Sequence, residues 1–115
     1  MQPRTHILQL NDGPFASIQA GTKTIEMRLF DEKRQQIQEG DQIKFLKRSD
    51  HNIFVMTKVK KIHRFDSFSQ LYQVFDKVML GYKPGETAKP EDMMQYYPVE
   101  EIEKYGVVGI EIEVI

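Results

Sequence analysis

Four residues with a fixed spacing, Gly21, Lys23, Glu26 and Arg28, form the most distinctive polar cluster of the sequence. At average residue frequencies, a chain of this length contains the pattern by chance about once in a thousand. A lysine, a glutamate and an arginine that converge can bind the polar edge of a ligand. They can also support hydrolysis, because a carboxylate can orient a water while a cation stabilises the developing oxyanion. The cluster is therefore the first candidate for a binding or catalytic site.

The segments around the cluster determine whether its side chains can meet. The sequence of residues 11–14, Asn-Asp-Gly-Pro, predicts the start of a short helix with Asp12 as its cap, and Gly21 predicts its end. Residues 24–29 alternate with a period of two, which indicates a β-strand. The polar residues of this strand share one face: Thr24, Glu26 and Arg28. A turn or bulge at Gly21 lets Lys23 reach the same face.

The remaining elements are short and show no repeated strand-helix-strand unit. Apolar alternation predicts further strands at residues 6–10, 42–47, 53–65 and 107–115, and the third is long enough that we expect it to bend. Helical spacing predicts one helix from a cap at Asp66 and Ser67 to a stop at Gly81, and shorter helices at residues 90–97 and 99–105. These elements predict an α+β fold with a small β-barrel of about five or six strands and about three or four short helices.

Length and composition indicate one globular unit over residues 1–115. A chain of 115 residues, with 40% hydrophobic and 29% charged residues, can bury its own core and differs from disordered sequences. The absence of cysteine excludes disulfides and thiolate sites, and three scattered histidines (His6, His51 and His63) lack the spacing of a metal site, so we expect neither metal nor cofactor. With no signal pattern and no apolar run of about 18 residues, we expect a cytoplasmic protein that does not contact membranes.

The charge distribution leaves the question of a nucleic-acid partner open. The net charge is -1, without the basic excess that phosphate binding usually requires. Basic residues nevertheless crowd the middle of the chain: Lys44, Lys47, Arg48, Lys58, Lys60, Lys61, His63 and Arg64. They can form a local positive patch, or they can be solvated strand residues balanced by the acidic C-terminal part of the chain.

The pattern Gly-x-Lys-x-x-Glu-x-Arg at the junction of a helix end and a strand resembles the ASCH family, whose fold is related to the PUA domain. The resemblance extends to the Glu39-Gly40-Asp41 turn, the middle strands and the last strand, and so covers nearly the whole chain as one domain. It implies a pseudo-barrel with a cleft that binds RNA or a modified nucleoside. The ligand-binding residues that we predict are Gly21, Lys23, Thr24, Glu26 and Arg28.

The resemblance also implies an enzymatic alternative. Some ASCH proteins are similar to small amidohydrolases that deacetylate N4-acetylcytidine with a lysine base, a threonine nucleophile and a loop glutamate. Lys23 matches the lysine, Glu26 stands in the place of the threonine, and Glu86 in the loop of residues 82–90 is similar in position to the loop glutamate. Because a carboxylate attacking an amide gives a labile mixed anhydride, water activated by Glu26 or Glu86 is the alternative nucleophile. The catalytic set of this reading is Lys23, Glu26 and Glu86.

Three readings other than hydrolysis remain at this stage. In the binding reading, a tyrosine from the set Tyr82, Tyr96 and Tyr97 offers a stacking face for a base. In a purely structural reading, Glu26 and Arg28 pair to hold a loop while Lys23 stays in water. A role in recognising another protein, without catalysis, is a third function class. The sequence does not indicate an oligomeric state.

Overall fold

The chain forms five strands and three helices in the computed structural model, which describes residues 3–115. The strands are β1 (Thr5–Leu10), β2 (Ile25–Leu29), β3 (Gln42–Lys47), β4 (Asp50–Phe65) and β5 (Val107–Val114). The helices are α1 (Asp12–Gln19), α2 (Phe68–Val74) and α3 (Val99–Tyr105), and two short 3-10 helices span Arg34–Gln36 and Pro90–Gln95. Within the described part of the chain, every helix is too short or too polar to cross a membrane.

The strands join into one mixed sheet with the order β1-β3-β4-β5-β2. Strands β1 and β3 are parallel, and the other neighbouring pairs are antiparallel. The sheet curls into a half-barrel, which confirms the predicted α+β class. A register shift between Val59 and Lys61 places a bulge in the long strand β4, and bulges bend strands. Strands β1 and β2 remain as the two open edges of the half-barrel.

Two apolar clusters fill the structure on either side of β5. In the first, the buried residues Phe15 and Ile18 of α1 belong with Ile43 and Phe45 of β3. In the second, α2, α3 and the 3-10 helix Pro90–Gln95 cover the apolar residues of β2, which include Ile25 and Met27. The helices therefore pack on the apolar residues of β2, and Glu26 and Arg28 lie on the opposite face of this strand.

Helix α2 ends at Val74, so the predicted extension to Gly81 is wrong. The backbone of Phe75 is extended, and its ring packs edge-on against His63, with 4.9 Å between centroids. The Asp76 carboxylate then accepts a hydrogen bond from the N–H of Val78 and begins a series of turns. The apolar spacing continued past Val74 because Met79 still packs on the second cluster, although from a turn.

The predicted helix caps have two different outcomes. Asp12 is the first residue of α1 and not its cap; Asn11 holds that position, and the Asp12 carboxylate accepts a hydrogen bond from the Ser49 hydroxyl. Ser67 caps α2 as predicted, because its hydroxyl accepts from the N–H of Gln70 at 3.3 Å. The cap of α1 was misassigned because Asn and Asp have similar preferences for this position and stand side by side.

Candidate functional site

A cleft of about 390 Å³ is lined by both open edges of the half-barrel. Gln9 and Leu10 contribute from β1, and Glu26, Met27 and Arg28 contribute from β2. The opposite wall comes from residues between Tyr72 and Tyr97. The volume lies within the range of pockets that bind small molecules.

Lys23, Glu26 and Arg28 form a continuous charged cluster in this cleft. The Glu26 Oε1 atom lies 3.6 Å from Lys23 Nζ, and its Oε2 atom accepts from Arg28 Nε at 3.0 Å and Arg28 Nη2 at 2.8 Å. Lys23 and Glu26 are only 6% and 4% exposed. The expectation that Lys23 stays in water is therefore wrong, whereas the expected pairing of Glu26 with Arg28 and the predicted swing of Lys23 towards Glu26 are confirmed.

The position of Lys23 depends on two chain segments far apart in sequence. After α1, the Ser17 carbonyl accepts hydrogen bonds from the N–H groups of Thr22 and Lys23, which fixes the turn that follows Gly21. The ammonium of Lys23 then donates to the Leu80 carbonyl at 2.7 Å. A Cβ atom on Gly81 would lie 3.0 Å from Lys23 Cδ, so the glycine leaves room for the lysine.

Burial and pairing shift the ionisation of the cluster. Burial lowers the pKa of Lys23, and the negative charge of Glu26 offsets part of this effect. Burial alone would raise the pKa of Glu26, but the positive charges of Arg28 and Lys23 outweigh it, so that the pKa lies below its ordinary value. Glu26 is therefore held as a carboxylate, while burial makes the charged form of Lys23 less favourable than that of an exposed lysine.

Arg28 also connects the two edges of the sheet. Its Nη2 atom donates to the carbonyl of Gln9 on β1 at 2.8 Å while donating to Glu26 on its own strand. The planar guanidinium suits this double role because its donors point in fixed directions. Glu26 thus orients Arg28, and Arg28 joins β2 to β1 across the cleft.

A chain of hydroxyl hydrogen bonds runs along the opposite wall of the cleft. The Tyr82 hydroxyl donates to Asp92 Oδ2 at 2.8 Å and lies 2.8 Å from the Tyr72 hydroxyl. Because the proton of Tyr82 is directed to Asp92, Tyr72 is the donor of the second bond. Burial and the hydrogen bond that Tyr82 donates to the Asp92 carboxylate raise the pKa of Tyr82. The wall therefore presents neutral phenols beside a carboxylate.

Two more tyrosines line the cleft and differ in how freely their rings are presented. Tyr97 is stacked on Phe68, with 6.0 Å between centroids, and burial raises the pKa of its hydroxyl. Tyr96 is 55% exposed and only tilted against Tyr97. Among the three predicted stacking residues, Tyr96 is therefore the one with the most accessible ring.

The comparisons with known proteins agree with this architecture. The sequence pattern of the ASCH domain matches residues 8–115. The chain belongs to the ASCH domain family. No protein with a curated description matches this ASCH domain.

Three solved structures are similar to this ASCH domain. The hypothetical protein PH0355 is 34% identical with a TM-score of 0.76, over 97% of this chain and 99% of that one. The protein PF0455 from Pyrococcus furiosus is 33% identical with a TM-score of 0.69, over 96% and 97% of the two chains. A mutant of ZmASCH from Zymomonas mobilis is 10% identical with a TM-score of 0.59, over 95% of this chain and 67% of that one, a likeness of fold alone.

The other predicted site residues differ in their position relative to the cleft: Glu86 lines it, whereas Gly21 and Thr24 do not. Glu86 lines the cleft, and its Oε1 atom accepts from the N–H of Lys83 at 2.7 Å. Gly21 does not line the cleft; its φ of +83° lets the chain turn towards Lys23. Thr24 also lies outside the lining, and its hydroxyl is buried without a hydrogen-bond partner in the described part of the chain.

The polar residues of the cleft that were not singled out from the sequence as site residues include Arg48, Tyr72 and Asp92. Arg48 was grouped with the basic patch, Tyr72 with the apolar stripe of α2, and Asp92 with a helix start. Neither Tyr72 nor Asp92 stands out from its neighbours in the sequence, since both lie in segments of mixed polar and apolar residues. Their contribution to the cleft depends on tertiary packing, which local patterns do not report.

The predicted basic patch does not form one continuous stripe leading to the cleft. Of its members, only Arg48 lines the cleft. Lys60 pairs with Glu113 at 3.1 Å, and His63 lies 3.0 Å from Glu111, so acidic residues of β5 balance part of the patch. Within residues 3–115 of the ASCH domain, no group of histidine and acidic residues has the geometry of a metal site.

Proposed function

We propose that the chain binds a nucleoside, free or as a unit of RNA, in the cleft between its two edge strands. The observation that carries the proposal is the buried Lys23–Glu26–Arg28 cluster, which lies in an open cleft walled by tyrosines. Buried charges are costly in an apolar interior, and such clusters in clefts are candidate functional sites.

The charges of the cleft suit a neutral polar ligand better than a bare phosphate. Three cations line it, namely Lys23, Arg28 and Arg48, and so do three carboxylates, namely Glu26, Glu86 and Asp92. A nucleobase edge carries both donors and acceptors, and a sugar adds hydroxyls that can use either. The exposed ring of Tyr96 adds a surface on which a base can stack.

Calorimetric titration with cytidine, uridine, adenosine and N4-acetylcytidine tests this proposal. We expect at least one nucleoside to bind, and Lys23→Met to weaken binding about tenfold or more, since a charged hydrogen-bond donor is lost. The matched control is Lys33→Met, because Lys33 is exposed and lies outside the cleft. If no nucleoside binds, or if folded Lys23→Met binds as well as the wild type, the proposal is wrong.

A second candidate function is hydrolysis of an acylated nucleoside, and the ionisation of Lys23 favours it. Because burial lowers the pKa of Lys23, a larger fraction of it than of an ordinary lysine is the neutral amine, the form that can take a proton from water. As water adds to the amide carbonyl, Lys23 would take its proton; when the C–N bond breaks, that proton would pass from Lys23 to the leaving nitrogen, which gives cytidine and acetic acid. Glu26 is less suited as a nucleophile because its two oxygens already face Lys23 and Arg28.

Incubation with N4-acetylcytidine, followed by chromatography, tests the enzymatic candidate. We expect cytidine and acetate in equal amounts from the wild type, and neither above background from Lys23→Met. Glu86→Gln separates the role of the loop carboxylate from that of Lys23. Binding of N4-acetylcytidine without any release of cytidine would eliminate hydrolysis and leave the binding proposal intact.

A further inference from the structure

The outward side of strands β1, β3 and β4 carries an apolar and basic surface that is separate from the charged cluster of the cleft. We call it the outer sheet surface and define it by six residues: Ile7, Lys44, Leu46, Phe54, Met56 and Lys58. Cross-strand pairing places Ile7 beside Lys44, Lys44 beside Met56, and Leu46 beside Phe54. These residues alternate with buried core residues such as Ile43, Phe45 and Val55, so they share the opposite face of the sheet.

Large apolar side chains on this surface are accessible. Ile7 is 54% exposed and Phe54 is 47% exposed, although both lie within strands. The helices do not cover them: α1 packs its apolar residues into the first cluster, and α2 and α3 pack into the second. An exposed group of apolar residues on the open face of a sheet is a common sign of an interaction surface.

The charge of the surface is positive. Lys44 Nζ lies 4.2 Å from the centre of the Phe54 ring, and Lys58 is exposed on the same face of the sheet. Glu113, the cross-strand partner of Lys58, is already bound by Lys60 at 3.1 Å. Within residues 3–115, neither Lys44 nor Lys58 forms an ion pair with a carboxylate.

We propose that the outer sheet surface binds single-stranded nucleic acid, with bases stacked on Phe54 and phosphates near Lys44 and Lys58. An exposed aromatic ring beside cations on an open sheet fits a strand of unpaired bases, because every base has a face that can stack. A second copy of the chain fits less well. A two-fold contact would bring the same lysines together from both copies and bury like charges.

The surface also meets the cleft. In β1, Gln9 lies one step beyond Ile7 on the same face and pairs with Leu46, and it also lines the cleft. A nucleic-acid strand bound on Phe54 can therefore extend towards the cleft, but its binding at Phe54 does not require a ligand in the cleft. The proposal thus goes beyond nucleoside binding and can fail or succeed separately from it.

Fluorescence anisotropy with a labelled ten-nucleotide oligouridylate and the matching oligothymidylate tests the proposal. We expect Phe54→Ala to weaken binding about 5- to 100-fold, since a stacked base is lost. The matched apolar control is Val74→Ala, because Val74 is exposed on α2. The double variant Lys44→Gln/Lys58→Gln is expected to reduce the salt dependence by about 1.4 in log–log slope, at about 0.7 per phosphate.

The outcomes of these experiments distinguish RNA, DNA and a second copy of the chain as the partner that binds the outer sheet surface. Loss of oligonucleotide binding in Phe54→Ala, with nucleoside titration of the cleft unchanged, supports the outer sheet surface as a separate site. Stronger binding of oligouridylate than of oligothymidylate identifies RNA as the preferred strand, and the reverse identifies DNA. The proposal is overturned if neither oligonucleotide binds, if the variants bind like the wild type, or if sedimentation shows a dimer that Phe54→Ala dissociates.

Discussion

The side chain of Arg28 on β2 donates a hydrogen bond to the carbonyl of Gln9 on β1 at 2.8 Å. These strands are the two open edges of the sheet, so one guanidinium spans the gap in the half-barrel. The same Nη2 atom also donates to Glu26, which couples the charged cluster to the closure of the fold. A ligand that competes for Arg28 would therefore also act on the contact between β1 and β2.

Arg28→Ala is expected to lower the free energy of unfolding by about 3–5 kcal/mol, the usual cost of removing one partner of a buried pair. Urea denaturation at pH 7 measures the change. The matched control is Arg48→Ala, because Arg48 lines the same cleft but is exposed, and a change within about 0.5 kcal/mol is expected there. Equal effects of the two variants would contradict the assigned bridging role.

Gly81→Ala is expected to destabilise the protein by about 1–3 kcal/mol. The backbone of Gly81 has a φ of +107°, and its new Cβ atom would meet Lys23 Cδ at 3.0 Å. Gly85→Ala is the matched control, because a Cβ atom there meets nothing within 4 Å. Thermal unfolding measures the melting temperatures of both variants. A melting temperature of Gly81→Ala equal to that of the wild type would show that Lys23 is not held as described.

The stability contributed by Glu26 is expected to depend on pH. Because its pKa is lower in the folded chain than its ordinary value of 4.5, the contribution is present above pH 4.5 and is lost as the pH falls through the folded value. Glu26→Gln lacks this titration. The difference in unfolding free energy between wild type and Glu26→Gln should therefore shrink below pH 4.5, and a constant difference from pH 7 to pH 3 would contradict the pairing.

Tyr82→Phe is expected to cost about 1–2 kcal/mol, since Asp92 loses its phenol donor and Tyr72 loses its acceptor. Tyr96→Phe is the matched control because Tyr96 is exposed, and we expect a change within about 0.5 kcal/mol. Urea denaturation compares the two. Similar stabilities of both variants would show that the hydroxyl chain does not hold the wall of the cleft.

Local patterns predicted the half of the site that lies on one strand. Period-two alternation placed Glu26 and Arg28 on one face of β2, and the glycine turn predicted that Lys23 could join them. The opposite wall was not predicted as a whole, because Tyr72 and Asp92 meet Tyr82 only after two helical segments pack together. A helical stripe does not distinguish a tyrosine that faces the core from one whose hydroxyl reaches a cleft.

The fold class was predicted because alternation and turn residues act locally, but the strand order was not. The contact between Arg28 and Gln9 follows from β1 and β2 being opposite edges of the sheet, which depends on pairings between distant segments. The end of α2 was missed for a related reason. Phe75 leaves the helix to pack on His63, a partner on another element.

Nuclear magnetic resonance of the labelled protein during titration with cytidine and N4-acetylcytidine tests the central claim most directly. If the cleft is the nucleoside site, the largest saturable shifts will fall on the amides of Glu26, Arg28 and Gly81 and on the Lys23 ammonium, and Lys23→Met will reduce them. Saturable shifts centred on Phe54 and Lys44, with the cleft resonances unchanged, would contradict the claim. The absence of any saturable shift would contradict it as well.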